Sequence, residues 1–222
     1  MAPTVRIAHA GEVPAALREL GLARTRAVLV LVGGAQSLAG AQLDAVEQLF
    51  AAVVVPVCAE VGAAVVDGGT DSGVMGAMGR ARAATDAGFA LVGVVAGGTV
   101  VGGRERDTDP EVAEPARFEP HHTHFVVVPG SQWGDESPWI VAVARSLAGD
   151  APVVGLLVGG GDVSTRDVGL LVDAGYPVIA LGGSGGLADA LAADGAPTPS
   201  ISVVDGIRDP ERLRAALGAA FG

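Results

Sequence analysis

One recurring unit constrains this chain more than any other feature. A short, continuous run of branched apolar residues is followed closely by glycine and then by a helix-like segment. Six such runs stand out, at 27–32, 63–66, 90–95, 124–128, 153–158 and 177–181, and 201–204 adds a seventh. Runs that are apolar throughout, rather than alternating, suit strands covered on both faces. Helical patterns fall between them, at 41–50, 73–87, 138–148, 163–174, 187–193 and 210–221. This alternation predicts an α/β protein with a doubly wound, mostly parallel sheet of six or seven strands. The stretch 101–120 breaks the rhythm: it is polar and turn-rich, and reads as a long loop.

At 222 residues the chain suits one enlarged domain, 1–222, able to bury a core without disulfides or metal. Its single cysteine, Cys58, excludes an intramolecular disulfide and fits a reducing, cytoplasmic setting. The apolar surroundings of Cys58 mark it as an inert core thiol. No secretory leader is evident. The longest apolar stretch, 51–66, is broken by Pro56 and Glu60, and a bilayer span needs about 20 residues. No membrane association is expected.

Charge narrows the chemistry further. All 14 basic residues are arginine, set against 25 acids, for a net charge of −11. Without lysine there is no Schiff base and no P-loop lysine. So negative a chain is not expected to bind nucleic acid. The remaining tools for an anion are arginine, backbone N–H groups and helix N-termini.

The 34 glycines are not scattered. They follow the strands, at Gly33 and Gly34, Gly68 and Gly69, Gly97 and Gly98, Gly130, Gly159 to Gly161, and Gly182 to Gly186 around Ser184. In a parallel sheet all these positions fall on the carboxyl edge, where open α/β sheets bind ligands at a switch in strand order. A glycine pair alone is explained by a tight turn. Five or six such loops on one edge point to a crevice for an anion or nucleotide.

Two loops carry more chemistry. Residues 65–80 run from strand to helix, with Gly68, Gly69, Thr70, Asp71, Ser72 and Gly73 at the junction and Met75, Gly76 and Met78 packing the helix. Thr70, Asp71 and Ser72 can cap the helix or meet a ribose or phosphate. Residues 129–138 hold Gly130, Ser131, Gln132, Trp133, Gly134, Asp135 and Glu136 before Ser137 as N-cap and Pro138 at the first helical position. A carboxylate here can bind sugar hydroxyls or activate water. Trp133 can stack a base or simply pack.

These residues also carry a resemblance. Residues 67–76, Asp-Gly-Gly-Thr-Asp-Ser-Gly-Val-Met-Gly, look like the Gly-Gly-Gly-x-x-Gly-Leu-Met-Gly signature of LOG ("lonely guy", lysine-decarboxylase-like) proteins. The loop 129–136 is similar to their Pro-Gly-Gly-x-Gly-Thr-x-x-Glu, with Trp133 and Gly134 in place of Gly-Thr and a one-residue shift. The LSDAT branch of the SLOG superfamily, found as stand-alone prokaryotic proteins and at the N-terminus of TRPM channels, is a nearer match. Residues 67–73, 122–125 and 182–189 resemble that branch, and the likeness covers roughly 26–194, taken as the core.

The resemblance implies a Rossmann-like fold, a nucleotide-derived ligand such as ADP-ribose or a nucleoside phosphate, and a homodimer. LOG enzymes are phosphoribohydrolases that use an Arg and a Glu. Glu136 matches that Glu approximately, and Arg80 is the candidate Arg. The implied ligand-binding set is Gly33, Gly34, Gly68 to Gly73, Gly130 to Asp135, Gly160, Gly161, Gly183, Ser184, Gly185 and Gly186, and Asp189 would at most bind. The altered loop favours binding or sensing over hydrolysis. Sparse charge in the Ala-rich helices also suggests a covered apolar face and hence a homodimer.

Other clusters read more plainly. His121, His122 and His124 with Glu119 lack further metal ligands, so a solvated loop or a structural hydrogen bond is preferred and no metal or resident cofactor is expected. Ser164 and Thr165 are a helix cap or a phosphate contact. Arg104 and Arg106 belong to a solvated loop or to a lid. Gly69→Val is expected to block ligand approach without unfolding the protein.

Overall fold

In a computed structural model, residues 2–34, 38, 40–103, 114–195 and 198–222 are described; Arg104 and Arg106 lie outside them. In chain order the elements are β1 (Thr4–Arg6), α1 (Val13–Glu19), β2 (Ala27–Gly33), α2 (Ala41–Leu49), α3 (Val55–Val61), β3 (Ala63–Asp67) and α4 (Gly73–Ala84). There follow β4 (Leu91–Ala96), β5 (His124–Val128), α5 (Ser137–Ala148), β6 (Val153–Val158), α6 (Asp162–Asp173), β7 (Val178–Leu181), α7 (Gly186–Asp194), β8 (Ile201–Val204) and α8 (Pro210–Phe221). A π-helical turn, Phe50–Val54, joins α2 to α3 where Pro56 removes a helix donor.

The strands form one sheet in the order β1-β5-β4-β3-β2-β6-β7-β8. Every neighbouring pair is parallel. All seven expected strands are present, and β1 is an eighth. The sequence did not reveal β1 because it has three residues, of which only Val5 is buried.

Alternation within the apolar runs feeds two cores. In β2, Val28, Val30 and Val32 face one layer, with α1, α5, α6 and Ala188 of α7. Ala27, Leu29 and Leu31 face the other, with α2, α3, α4 and α8. The layers follow from right-handed crossovers: the chain steps from β2 to β4 with helices on one face, and from β6 to β8 mainly with helices on the other. Strand order therefore reverses between β2 and β6. Among the described residues, no helix is long and apolar enough to cross a membrane.

Candidate ligand-binding edge

All the glycine-rich loops leave the carboxyl ends of their strands, so Gly33, Gly69, Gly130, Gly160 and Gly183 share one edge. At the reversal, β2 and β6 run side by side, with Gly33 opposite Val158. A Cβ on Gly33 would lie 2.5 Å from the Val158 carbonyl oxygen, so this glycine serves strand packing. Gly68 and Gly161 differ: open space stands where their side chains would be.

The loop after β3 is held from behind. Asp67 ends the strand fully buried, and its Oδ1 accepts the Gly69 N–H at 2.7 Å. The same oxygen lies 2.7 Å from His122 Nε2. On the other side of the ring, His122 Nδ1 is 2.8 Å from Glu119 Oε2. Glu119 also takes the His121 backbone N–H at 2.8 Å and meets His121 Nδ1 at 2.6 Å. Phe125 stacks on the His122 ring. Burial alone would lower the His122 pKa, but Asp67 and Glu119 outweigh it and raise it to about 9. Burial likewise favours a neutral Glu119, and the hydrogen bonds from His122 and His121 overturn that and lower its pKa. His122 thus makes the structural hydrogen bonds that the sequence allowed, although it is buried rather than solvated. No group of three or more potential metal ligands occurs among the described residues.

Further along this loop, Thr70 is buried and bridges to Phe118, and its hydroxyl lies 3.1 Å from that of Ser72. Ser72 takes the N-cap position of α4 without capping it through its side chain. Asp71 is exposed, and its carboxylate and the Arg80 guanidinium both lie over Gly76. Arg80 Nε donates to Glu47 on α2 at 2.8 Å.

The loop after β5 crosses the edge to reach α6. Asp135 accepts the Ser131 and Gln132 N–H groups at 2.9 and 3.0 Å. Glu136 accepts the Gly134 N–H with both oxygens, and the Gly134 carbonyl accepts from Arg166 at 3.0 Å. Glu136 takes the N-cap position of α5, one residue before the expected Ser137. Burial, helped by the charges of Asp167 and Asp135, pushes the Glu136 carboxyl up to about 7. Asp167 on α6 is pushed up to about 6, again mainly by burial. Trp133 and Gln132 are exposed.

The loops after β6 and β7 bind each other. Ser184 accepts the Gly159 N–H at 2.8 Å and donates to the Leu181 carbonyl at 2.5 Å. The Leu187 and Ala188 N–H groups at the start of α7 go to the Gly160 and Gly159 carbonyls. Asp189 accepts the Gly183 N–H at 2.6 Å, and Gly185 lies against Gln42 of α2. Gly161 takes the N-cap of α6, and Thr165 donates back to its carbonyl at 3.2 Å.

An open pocket of about 640 Å³ lies at the same edge, beside β1, β4 and β5 rather than at the strand-order reversal. Its charged groups are engaged internally. Arg6 donates to the Gly102 and Gly103 carbonyls, Glu12 accepts from Ala8 and His9, and Asp135 serves its own loop. The reversal is therefore the better candidate crevice. Sequence reasoning missed Asp67 as an anchor and Asp167 beside Glu136. The first opens the glycine motif itself, whereas nothing local signals the second.

The model of a prokaryotic family described as "SLOG in TRPM" matches residues 26–213. No curated protein matches the sequence. Among solved structures, the X-ray structure of TM1055, a structural-genomics target, is similar with a TM-score of 0.58 and 18% identity, covering 85% of this chain and 98% of that one. The molybdenum cofactor carrier protein of Chlamydomonas reinhardtii has a TM-score of 0.56 and 18% identity, covering 87% of this chain and 99% of that one. At such identity the likeness is one of fold.

Proposed function

This chain belongs to the prokaryotic family of SLOG domains related to TRPM channels, and from that premise we propose that it binds or senses a nucleotide-derived ligand. An ADP-ribose-like molecule or a nucleoside phosphate would lie in the glycine-rich crevice at the carboxyl edge. The observation that carries this reading is the reversal of strand order between β2 and β6, where Gly33 lies opposite Val158 and Arg166 of α6 ties down the Gly134 carbonyl. A net charge of −11 repels anions at long range, so attraction must be local, from N–H groups and helix N-termini. Gly68 and Gly161 leave room for close approach, and Trp133 offers an exposed ring to a base.

Thermal unfolding against AMP, ADP-ribose and NAD tests the reading. At ligand about 100-fold above its dissociation constant the fold gains about 2.7 kcal/mol, read as a rise of roughly 5–10 °C. No shift with any of them at millimolar concentration overturns it. The molybdenum cofactor, named for the Chlamydomonas protein, belongs in the same panel.

A second reading, hydrolysis of the base from a nucleoside 5′-monophosphate, is favoured by one observation. The Glu136 carboxyl near 7 is poised for proton transfer at neutral pH. Arg80 supports it less, being paired with Glu47. Base and ribose 5-phosphate released from AMP, and lost in Glu136→Gln, would select this reading. We further propose that residues 1–222 form a single domain and that two copies of the chain form a homodimer, tested by light scattering at micromolar concentration.

A further inference from the structure

The hydrogen bonds around His122 close a ring. From the His122 side chain the path runs to Asp67 Oδ1, then through the Gly69 N–H and the Gly69 backbone to its carbonyl. The Glu119 N–H donates to that carbonyl at 3.0 Å, and the Glu119 carboxylate returns the path to His122. Gly69 is itself a link of this ring, and Gly68 lies between it and Asp67. Two further links extend it along the loop: Asp71 N–H donates to the Arg117 carbonyl at 2.8 Å, and Thr70 bridges to Phe118. The segment 117–119, in the later part of the long β4–β5 connection, is therefore bound to the glycine loop that starts α4.

The geometry of the ring favours an imidazolium. Both nitrogens face carboxylate oxygens, and an ionised carboxylate only accepts. With both carboxylates ionised, both nitrogens carry hydrogen. A neutral ring would turn a lone pair toward one carboxylate, in a site where neither His122 nor its two partners reach solvent. The titratable groups facing it are Asp67 from β3 and Glu119 from the returning segment, with His121 beyond Glu119. Gly79 of α4 sets its bare backbone against the Glu119 carboxyl, and the Phe125 ring of β5 stacks on the imidazole.

We propose that His122, held as an imidazolium between Asp67 and Glu119, is the positioning residue that sets the Gly68–Gly73 loop for ligand. The proposal rests on the binding reading above for its ligand and on geometry alone for the lock. His122 touches no ligand; it acts through Asp67 and Glu119 on the backbone of Gly69 to Asp71. Its pKa, raised from 6.5 to about 9, gives the expected window. The stabilisation is complete below the unfolded value and is lost as pH rises through about 9. Phosphodiester and diphosphate groups do not change charge between pH 8 and 10, so affinity lost there is the protein's own.

Three measurements on the full chain test this. Imidazole ¹⁵N NMR of the parent protein should show both His122 nitrogens protonated at pH 8; a neutral tautomer there overturns the lock. Hydrogen exchange should show protected Gly69, Asp71 and Glu119 amides that lose protection in His122→Gln, while amides of β6 and β7 keep theirs. Unchanged protection at Gly69 and Glu119 also overturns it. ADP-ribose affinity of the parent should fall by about tenfold from pH 8 to pH 10, the most that one group titrating near 9 can give. In His122→Gln it should already be weak at pH 8 and vary little. If the amides are released yet affinity is unchanged, the lock exists and its positioning role is refuted. If the parent binds no nucleotide, the binding reading fails and takes the positioning role with it, while the NMR and exchange results still decide the lock.

Discussion

Gly69 and Gly93 meet backbone against backbone: a Cβ on Gly69, which sits at φ +63°, would lie 2.8 Å from the Gly93 Cα and 3.0 Å from Phe125 and Val95. The glycine is therefore needed to seat the loop on β4 and β5, independently of any ligand. Gly69→Val should cost about 2 kcal/mol or more, from overpacking and from a left-handed backbone that a β-branched residue avoids. Gly68→Ala, with open space and ordinary backbone, should stay within about 0.5 kcal/mol of the parent. Urea denaturation compares the two, and a parent-like midpoint for Gly69→Val would remove the packing argument.

Helix α4 offers a second inversion. Replacing a helix-interior glycine with alanine ordinarily stabilises by about 1 kcal/mol. Gly79 is an exception, since a Cβ there would overlap the buried Glu119 carboxyl. Gly79→Ala should destabilise and, by displacing Glu119, disturb His122. Gly169→Ala in α6, where nothing stands within 4 Å, should stabilise by about 0.5–1 kcal/mol. Opposite signs in the two variants are the expected result.

These glycines mark where the sequence stopped being legible. Strands and helices repeat a local pattern, so seven of the eight strands, α2 and the helices from α4 to α8 could be read within a few residues. The three-residue β1 and the short α1 offer no period to detect. The glycine loops were legible as an edge because each follows its own strand. Their internal commitments were not: Glu119 against Gly79 and His122 on Asp67 join residues 40 and 55 apart. Nor could the sequence show that Ser184 spends its hydroxyl joining the β6 and β7 loops. Such contacts depend on how the crossovers bring loops together.

Glu136 makes stability depend on pH in a defined direction. Its folded pKa is raised from 4.5 to about 7, so the folded state holds a proton that the unfolded chain has released. Stability should fall as pH rises from about 4.5 to about 7 and level off above, where the half-buried carboxylate is charged. Asp167, raised to about 6, contributes with the same sign. Glu136→Gln should match the parent near pH 4.5 and exceed it at pH 8 by about 1–2 kcal/mol, allowing for partial screening. Melting curves at the two pH values measure this, and a Gln variant less stable than the parent at pH 8 would contradict it.

Trp133 separates recognition of a base from attraction of a phosphate. It is 44% exposed, in the loop that carries the candidate Glu136 toward α6. An indole left open to water costs the fold little to remove, so Trp133→Ala should keep apo stability within about 0.5 kcal/mol of the parent. A base stacked on it should contribute about 1–3 kcal/mol to binding, so the same variant should lose roughly 5- to 150-fold in affinity for AMP or ADP-ribose. Trp133→Phe should retain most of it, because the π-face remains. Ribose 5-phosphate, which has no base, should bind parent and variant alike. The parent's fluorescence should respond to nucleotide through Trp133, because Trp139, the other tryptophan, packs against the core from α5. If Trp133→Ala binds AMP as the parent does, the base lies elsewhere along the edge.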